Sequence, residues 1–438
     1  MPRLKTQELI FIIFMLFSMF FGAGNLIFPA FLGNSAGVEM WISLFGFIIT
    51  AVGLPILGVI AIGKAGSFDT LATRVHPWFA LIFPVLIYLS IGPGLAIPRA
   101  GTVAYEMSIK PFLPESLSGS PMMLFIYTII FFVIVLALSL SPSKLVDRFG
   151  KLLTPILLIL IAIIFVKAIF TPVESYATAT DLYATNGFFQ GFLDGYLTMD
   201  ALAALVYGIV VVNTIRAKGI QDNASLSKYM LLAGLGAGIL LAVIYSILTY
   251  LGASISSIEQ LDNGAEVLTL VMNTLFGQAG IVILGALFTV ACLCVSISLV
   301  ISCGEYFSKL LPIFSYKVWA MITALVSFAI ANLGLNQILA ISVPILGMIY
   351  PLAIVLIILG ILNRYVHHTI YLVAIIFTAI FSIIETINTT FLSNSLSNTL
   401  TLIPLYDQGV GWVLPAILGV IIGAIFGGTK KNSVYERQ

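Results

Sequence analysis

The sequence predicts an all-α integral membrane protein with twelve transmembrane helices, and three observations carry that prediction. Of 438 residues, 60% are hydrophobic and only 8% are charged. A soluble domain carries about a quarter charged residues, whereas a bilayer lets the outer surface be as apolar as the core. Apolar runs of spanning length recur from end to end, and basic residues fall in alternate loops. The net charge of +1 gives no reason to expect nucleic acid as a partner.

Taken in order, the expected spans are 8–32, 40–63, 79–104, 122–140, 151–171, 187–215, 228–252, 279–304, 317–335, 337–362, 369–391 and 409–427. Each can cross a hydrocarbon core of ~30 Å at about 1.5 Å per residue. Span 1 follows Arg3 and Lys5, as a secretory signal would, but it is longer than a signal core and contains Asn25 and Pro29. It is therefore read as the first membrane helix. The stretch 264–276 is shorter and opens on Asn263 and Glu266, which predicts a surface segment.

Charge placement tests the count independently. With the N-terminus inside, Arg3, Lys5, Lys64, Arg74, Lys144, Arg148, Lys151, Arg216, Lys218, Lys228, Lys309, Lys317, Arg364, Lys430, Lys431 and Arg437 all fall on the cytoplasmic side. Glu39, Glu115, Glu174, Asp181, Asp194, Glu259, Asp262 and Asp407 take the other side, while Arg99, Lys110 and Lys167 depart from the basic pattern. A wrong span count would invert the second half, so the positive-inside rule supports twelve spans with both termini cytoplasmic.

Cys292, Cys294 and Cys303 share one apolar run without metal-ligand or disulfide spacing and read as packing residues. His76, His367 and His368 lie between apolar runs and read as polar loop residues. No His/carboxylate metal cluster or nucleophile–base pair falls within the spans, which argues against an enzyme.

Span 1 carries the first chemical anomaly, Ser18-Met19-Phe20-Phe21-Gly22-Ala23-Gly24-Asn25-Leu26-Ile27-Phe28-Pro29. Two glycines around one alanine invite the helix to unwind. Unwound backbone survives at membrane depth only where it lines a protein cavity. Such a break presents free N–H groups to an anion and free carbonyls to a cation, the pair of environments that an amino acid zwitterion with Na⁺ requires. Small residues also permit close helix packing, the structural alternative. The Gly-Ala-Gly pattern lacks the third glycine and preceding strand of a dinucleotide fingerprint.

The second anomaly is Asp200 in Thr198-Met199-Asp200-Ala201-Leu202, about fifteen residues into span 6. A carboxylate within the membrane is a functional candidate by default. The two breaks enter from opposite faces to similar depth, as an inverted repeat requires. Span 5 (Leu153-Thr154-Pro155-Ile156-Leu157) and span 10 (Ser342-Val343-Pro344-Ile345-Leu346) show a weak correspondence in the same sense. The expected arrangement is five plus five, approximately 8–171 and 187–362, in one transporter domain with broken spans 1 and 6 and two additional helices at 369–427.

Phe21-Gly22-Ala23-Gly24-Asn25-Leu26-Ile27-Phe28-Pro29, Ile91-Gly92-Pro93-Gly94-Leu95-Ala96-Ile97-Pro98-Arg99 and Gly195-Tyr196-Leu197-Thr198-Met199-Asp200 together resemble the bacterial branched-chain amino acid:cation symporter family. The resemblance spans nearly the whole chain. It implies a LeuT-like fold, a place in the bacterial plasma membrane, and uptake of leucine, isoleucine and valine with Na⁺ as coupling ion and no other cofactor.

It also implies roles. Gly22, Ala23, Gly24 and Asn25 would hold the substrate carboxylate on backbone N–H groups. Thr198, Met199, Asp200, Ala201 and Leu202 would meet the ammonium and side chain. Na⁺ would lie between spans 1 and 8, on the carbonyls of Ser18 and Phe21 and the hydroxyls of Ser296 or Ser298. Those serines have the alternative of bonding back to a carbonyl one turn earlier. Gly92-Pro93-Gly94 would soften span 3 opposite the first break, placing Gly92 near the substrate. Arg99 would pair with Asp194 in an external gate, its alternative being to snorkel. Glu385 is read as structural or interfacial. A H⁺ symporter working through Asp200 and a passive channel or facilitator remain open alternatives.

Overall fold

The structure is a computed structural model and describes residues 4–140, 144–171 and 175–427. Every regular element among them is helical. Within the described residues, eight helices are long and apolar enough to cross a membrane, and four shorter apolar helices accompany them. Read through their breaks and kinks, they form the twelve expected crossings.

Span 1 is two helices, Thr6–Phe20 and Ala23–Ala36. Gly37 then reverses the chain at φ 47° and lies against the Ala177 carbonyl, so both its conformation and its surroundings exclude a side chain. Span 2 comprises Met40–Ile48 and Leu54–Ala65 around a π-helical turn. Span 3 comprises Pro77–Leu89 and Ala96–Ser108, joined by a second such turn at Ser90–Gly94. Spans 4 and 5 are Pro121–Leu140 and Lys144–Ile169. Span 6 runs Asp181–Asp194, then a 3₁₀ turn Gly195–Thr198, then Asp200–Ala217. Span 7 is Asn223–Ser254. Spans 9 to 12 are Tyr316–Ala331, Leu335–Ile361, His368–Thr390 and Val413–Gly427.

The segment 264–276 departs from expectation. It opens one helical stretch, Gly264–Leu310, interrupted at Gly277 (φ 61°), and the part after Gly277 is span 8. Val267, Leu268, Val271 and Met272 are buried, and Gly264 lies against the Ile27 carbonyl. The polar N-cap, Asn263, accepts from the N–H groups of Ala265 and Glu266. What looked like a surface segment is an amphipathic cover on the second half of span 1; its polar start is a cap, not an exposed face.

The second half of span 1 packs along span 7, the second half of span 3 along span 8, and the two parts of span 6 along the two parts of span 2. Gly33 and Gly252 bring spans 1 and 7 to backbone contact, each lying against a carbonyl of the other helix, Thr249 and Ala30. Lipid supplies no hydrophobic force between helices, so such close approach is a main source of their cohesion. Span 11 packs on span 12, beside the bundle.

Loop contacts fall into two groups. On one face Lys218 pairs with Glu8 at 3.2 Å, the Leu4 N–H donates to Tyr229, and Lys64 donates to the Ile361 carbonyl. On the other, Asn34 donates to the Glu259 carbonyl and Lys110 pairs with Glu266 at 3.1 Å. Glu174, Lys430, Lys431 and Arg437 lie outside the described residues, as do the side chains of Glu115, Lys144, Arg148, Lys151 and Asp181.

Cys292 and Cys303 are buried packing residues and Cys294 is half-buried. His76 and His367 each accept the N–H two residues on, and so cap spans 3 and 11. Glu385 is half-buried in span 11.

Candidate functional site

The break in span 1 is two residues long. Phe21 (φ −74°, ψ 95°) and Gly22 (φ −124°, ψ −172°) are extended, ending one helix and preparing the next. Asn25 folds back on this opening, its Oδ1 accepting the Gly22 N–H at 3.0 Å. The N–H groups of Ala23, Gly24 and Asn25 have no acceptor among the described residues. They form the positive end of the second half-helix.

The break in span 6 mirrors it. The 3₁₀ turn ends at Met199, which adopts left-handed φ 63°, ψ 12°. That conformation costs a methionine about 1 kcal/mol or more and persists only where its surroundings impose it. Asp200 follows as the first residue of the helix Asp200–Ala217, where the helix dipole favours a carboxylate.

The two breaks meet. Asn25 Nδ2 donates to Asp200 Oδ2 at 2.5 Å and to the Tyr245 hydroxyl at 2.6 Å, and Tyr245 donates to the same Asp200 oxygen at 3.1 Å. Asn25 and Asp200 are each 2% exposed and Tyr245 is fully buried. Among the described residues Asp200 forms no ion pair. Two neutral donors hold its position, and neither supplies a counter-charge.

Beside this junction lies a cavity of about 70 Å³, well above the ~10–15 Å³ that one water needs. One wall is the first-break backbone, Gly22 to Asn25, and another is Thr198, Met199 and Asp200. Met19, Phe20, Ile91, Val295 and Leu299 supply apolar surface, and Ala96, Arg99, Ala100, Ala203 and Tyr207 complete it. A separate void of about 10 Å³ among Leu26, Leu157, Leu248 and Phe288 is wholly apolar and too small for a solute.

Arg99 belongs to this cavity and not to a gate with Asp194. It is 4% exposed. Its Nη1 donates to the Leu197 carbonyl at 2.7 Å, and its Cζ stands 5.0 Å above the Phe28 ring. Asp194 is engaged elsewhere, accepting from Tyr183 at 2.5 Å and Gln190 at 3.0 Å. The pairing expected from the sequence is not formed. Asp194 already has local donors, and Arg99 turns toward the two breaks.

Other expected residues separate. Ala23, Gly24, Asn25, Thr198, Met199 and Asp200 reach the cavity. Gly22 does too, but its N–H is taken by Asn25. Ala201 and Leu202 are buried but do not line it, and Gly58 of span 2 approaches the Ala201 carbonyl. Gly92 breaks span 3 as expected (φ −97°, ψ −121°) but faces the Cys303 thiol, and Ile91 lines the cavity in its place.

The cation ligands also divide. Ser296 is fully buried with an unpartnered hydroxyl. Its neighbour Val295 stands 3.8 Å from the position a Gly22 Cβ would take, at the first break in span 1. Ser298 is exposed, since two helical residues turn through about 200°. Ser18 is exposed and donates back to the Met15 carbonyl at 2.8 Å. The hydroxyls of Ser296 and Ser298 thus lie in different surroundings; of the two expected carbonyls, that of Phe21 stands at the break and that of Ser18 in the last turn before it.

Tyr245 escaped the sequence reading. Its signal was a tyrosine in the interior of an apolar span, but Tyr229 and Tyr250 of the same span look alike in one dimension. Met19, Phe20, Ala203, Tyr207, Val295 and Leu299 carry no distinguishing sequence signal.

Comparison with known proteins places this arrangement. Residues 5–430 match the family described as branched-chain amino acid transport protein. The branched-chain amino acid permease BraB of Bacillus subtilis is 48% identical over 431 residues, covering 96% of each chain. The permease BrnQ of Escherichia coli K12 is 38% identical over 428 residues, covering 97% of this chain and 96% of its own. Among solved structures, MhsT in complex with L-phenylalanine superposes with a TM-score of 0.60 at 15% identity, covering 95% of this chain and 98% of that one. Mhp1, a nucleobase-cation-symport-1 family transporter in a closed conformation with bromovinylhydantoin bound, gives 0.61 at 14%, covering 94% and 91%. At such identities these structures establish the shared LeuT-like fold and nothing finer.

Proposed function

The chain belongs to the branched-chain amino acid transport protein family, and from that premise we propose that it takes up leucine, isoleucine and valine by Na⁺ symport with alternating access. It is a multi-pass membrane permease and not an enzyme. The observation that carries the finer reading is the cavity where both broken spans converge, with the unpaired N–H groups of Ala23, Gly24 and Asn25 on one wall and the ion-pair-free Asp200 on another. A zwitterion matches that polarity: its carboxylate suits the half-helix end and its ammonium suits Asp200.

The apolar surface from Met19, Phe20, Ile91, Val295 and Leu299 suits an aliphatic side chain. One methylene is worth only ~1–3 kcal/mol in such a pocket, so leucine, isoleucine and valine share the site with overlapping affinities.

Na⁺ coupling is supported by the buried, unpartnered Ser296 hydroxyl near the broken span. A membrane potential of 100 mV supplies about 2.3 kcal/mol per charge. A tenfold Na⁺ gradient adds ~1.4 kcal/mol. One Na⁺ per zwitterion therefore supports a few-hundred-fold accumulation, as a rough figure. In the cycle, substrate and ion bind from outside, a helical bundle rocks against its scaffold, and both leave inward. The alternating loop charges support cytoplasmic termini in the bacterial plasma membrane.

Asp200, buried without a cationic partner, keeps one rival in play, a H⁺ symporter in which that carboxylate carries the proton. Radiolabelled leucine uptake into proteoliposomes, with inward Na⁺ and H⁺ gradients imposed separately, decides. Accumulation driven by Na⁺ alone supports the proposal. Accumulation driven by H⁺ alone moves the coupling to Asp200, and flux without accumulation makes the protein a passive facilitator.

A further inference from the structure

We propose that Arg99 is the principal anchor of the substrate's α-carboxylate, acting jointly with the unpaired N–H groups of Ala23 and Gly24. The inference deepens the proposed function and rests on it.

Arg99 is 4% exposed, and among the described residues it has no ion pair and a single acceptor, the Leu197 carbonyl. A guanidinium has five N–H donors, so one carbonyl leaves most of its capacity unused. Its Nη2 lies 2.7 Å from where a Gly24 Cβ would stand, at the first turn of the second half of span 1. The Ala23 and Gly24 N–H groups there lack acceptors. A cation against the positive end of a helix is repelled, and an anion in the space between them relieves the repulsion. The cavity lined by Arg99, Ala23 and Gly24 provides that space.

The rest of the site defines the anion. Asp200 lines the same cavity. A ligand with an anionic and a cationic group on neighbouring atoms satisfies both, which is the chemistry of an α-amino acid. Leu197 and Phe28 fix the guanidinium, leaving its free edge for a planar, forked acceptor.

The test is binding of leucine and of leucinol, in which CH₂OH replaces the carboxylate, to the purified full chain and to Arg99→Gln and Arg99→Lys. The unmodified protein should prefer leucine by about ten- to a hundredfold, the range of a charged hydrogen-bonded contact. Arg99→Gln should weaken leucine and leave leucinol nearly unchanged, collapsing that preference. Arg99→Lys should restore part of it, as a point charge without the fork.

Equal weakening of both ligands would mean that Arg99 merely staples span 3 to Leu197, and would overturn the proposal. So would a preference that survives undiminished in Arg99→Gln, or an unmodified protein that binds both ligands alike. Failure of the unmodified protein to bind leucine at all is a different result, and it sinks the functional reading itself.

Discussion

Asn25 and Asp200, 175 residues apart in sequence, are joined by a 2.5 Å hydrogen bond that ties the opening of one half-helix to the opening of another. The Asn25 oxygen caps Gly22 while its amide serves Asp200 and Tyr245, so every hydrogen-bonding atom of that side chain is used. One asparagine thus fixes both the shape of the first break and the position of the buried charge in the second. Movement of either span within a transport cycle must stretch or carry this bond.

Replacing Asn25 by Ala should accordingly cost more than one contact. It removes a donor from a buried carboxylate, about 1.5–3 kcal/mol, and also frees Gly22. Leucine uptake should fall at least tenfold, with a lower melting temperature in detergent. Tyr245→Phe should cost less, since Asn25 still serves Asp200. A double-mutant cycle should give a coupling of ~0.5–3 kcal/mol, because the three side chains form one network.

Gly24→Ala should impair transport through Arg99. The new methyl would stand 2.7 Å from Nη2 and 3.2 Å from a Phe28 ring carbon, so the guanidinium has to leave its place. The expected outcome is a rise of about tenfold or more in the KM for leucine, of the order of losing one charged contact. Gly119→Ala, where nothing lies within 4 Å, should leave uptake unchanged. Kinetics of the two variants side by side separates a local from a general effect.

Asp200→Asn keeps the shape and deletes the charge. Leucine affinity should drop about ten- to a hundredfold as the ammonium loses its partner. Binding of 4-methylpentanoate, which has the carboxylate but no amine, should hold or improve. Competition against labelled leucine measures both. Equal losses for the two ligands would count against an ammonium site at Asp200.

Lys110 pairs with Glu106 at 2.6 Å and Glu266 at 3.1 Å, fastening the end of span 3 to the helical cover that packs on span 1. The side chains are part-exposed, and pairs of this kind are worth about 0.2–1 kcal/mol each. Only the Lys110–Glu266 pair joins the two elements, so its loss in Lys110→Met should shift KM by no more than about fivefold. The wild-type protein should converge on the variant as salt rises and screens the pair. Uptake kinetics across ionic strength checks this.

Much of the fold was legible because its signals are local and energetically costly. A charge or an unwound turn in hydrocarbon costs several kcal/mol, so Gly22-Ala23-Gly24 and Asp200 stood out against their apolar runs. Loop charges gave the span count by the same logic. The cover at 264–276 is not legible in one dimension, because a polar N-cap and a polar surface begin with the same residues.

The sequence by itself determined the solvent, the number of crossings and the two points where helices must break. Only the tertiary structure decided which side chains meet there. Partners depend on the rotation and depth of each helix, and an apolar sequence leaves both unwritten because lipid and protein core accept the same residues. Rotation separates buried Ser296 from exposed Ser298 and turns Ala201 and Leu202 away from the cavity. It brings Tyr245 to Asp200, leaves Asp194 to Tyr183, and sends Arg99 into the site at Gly24.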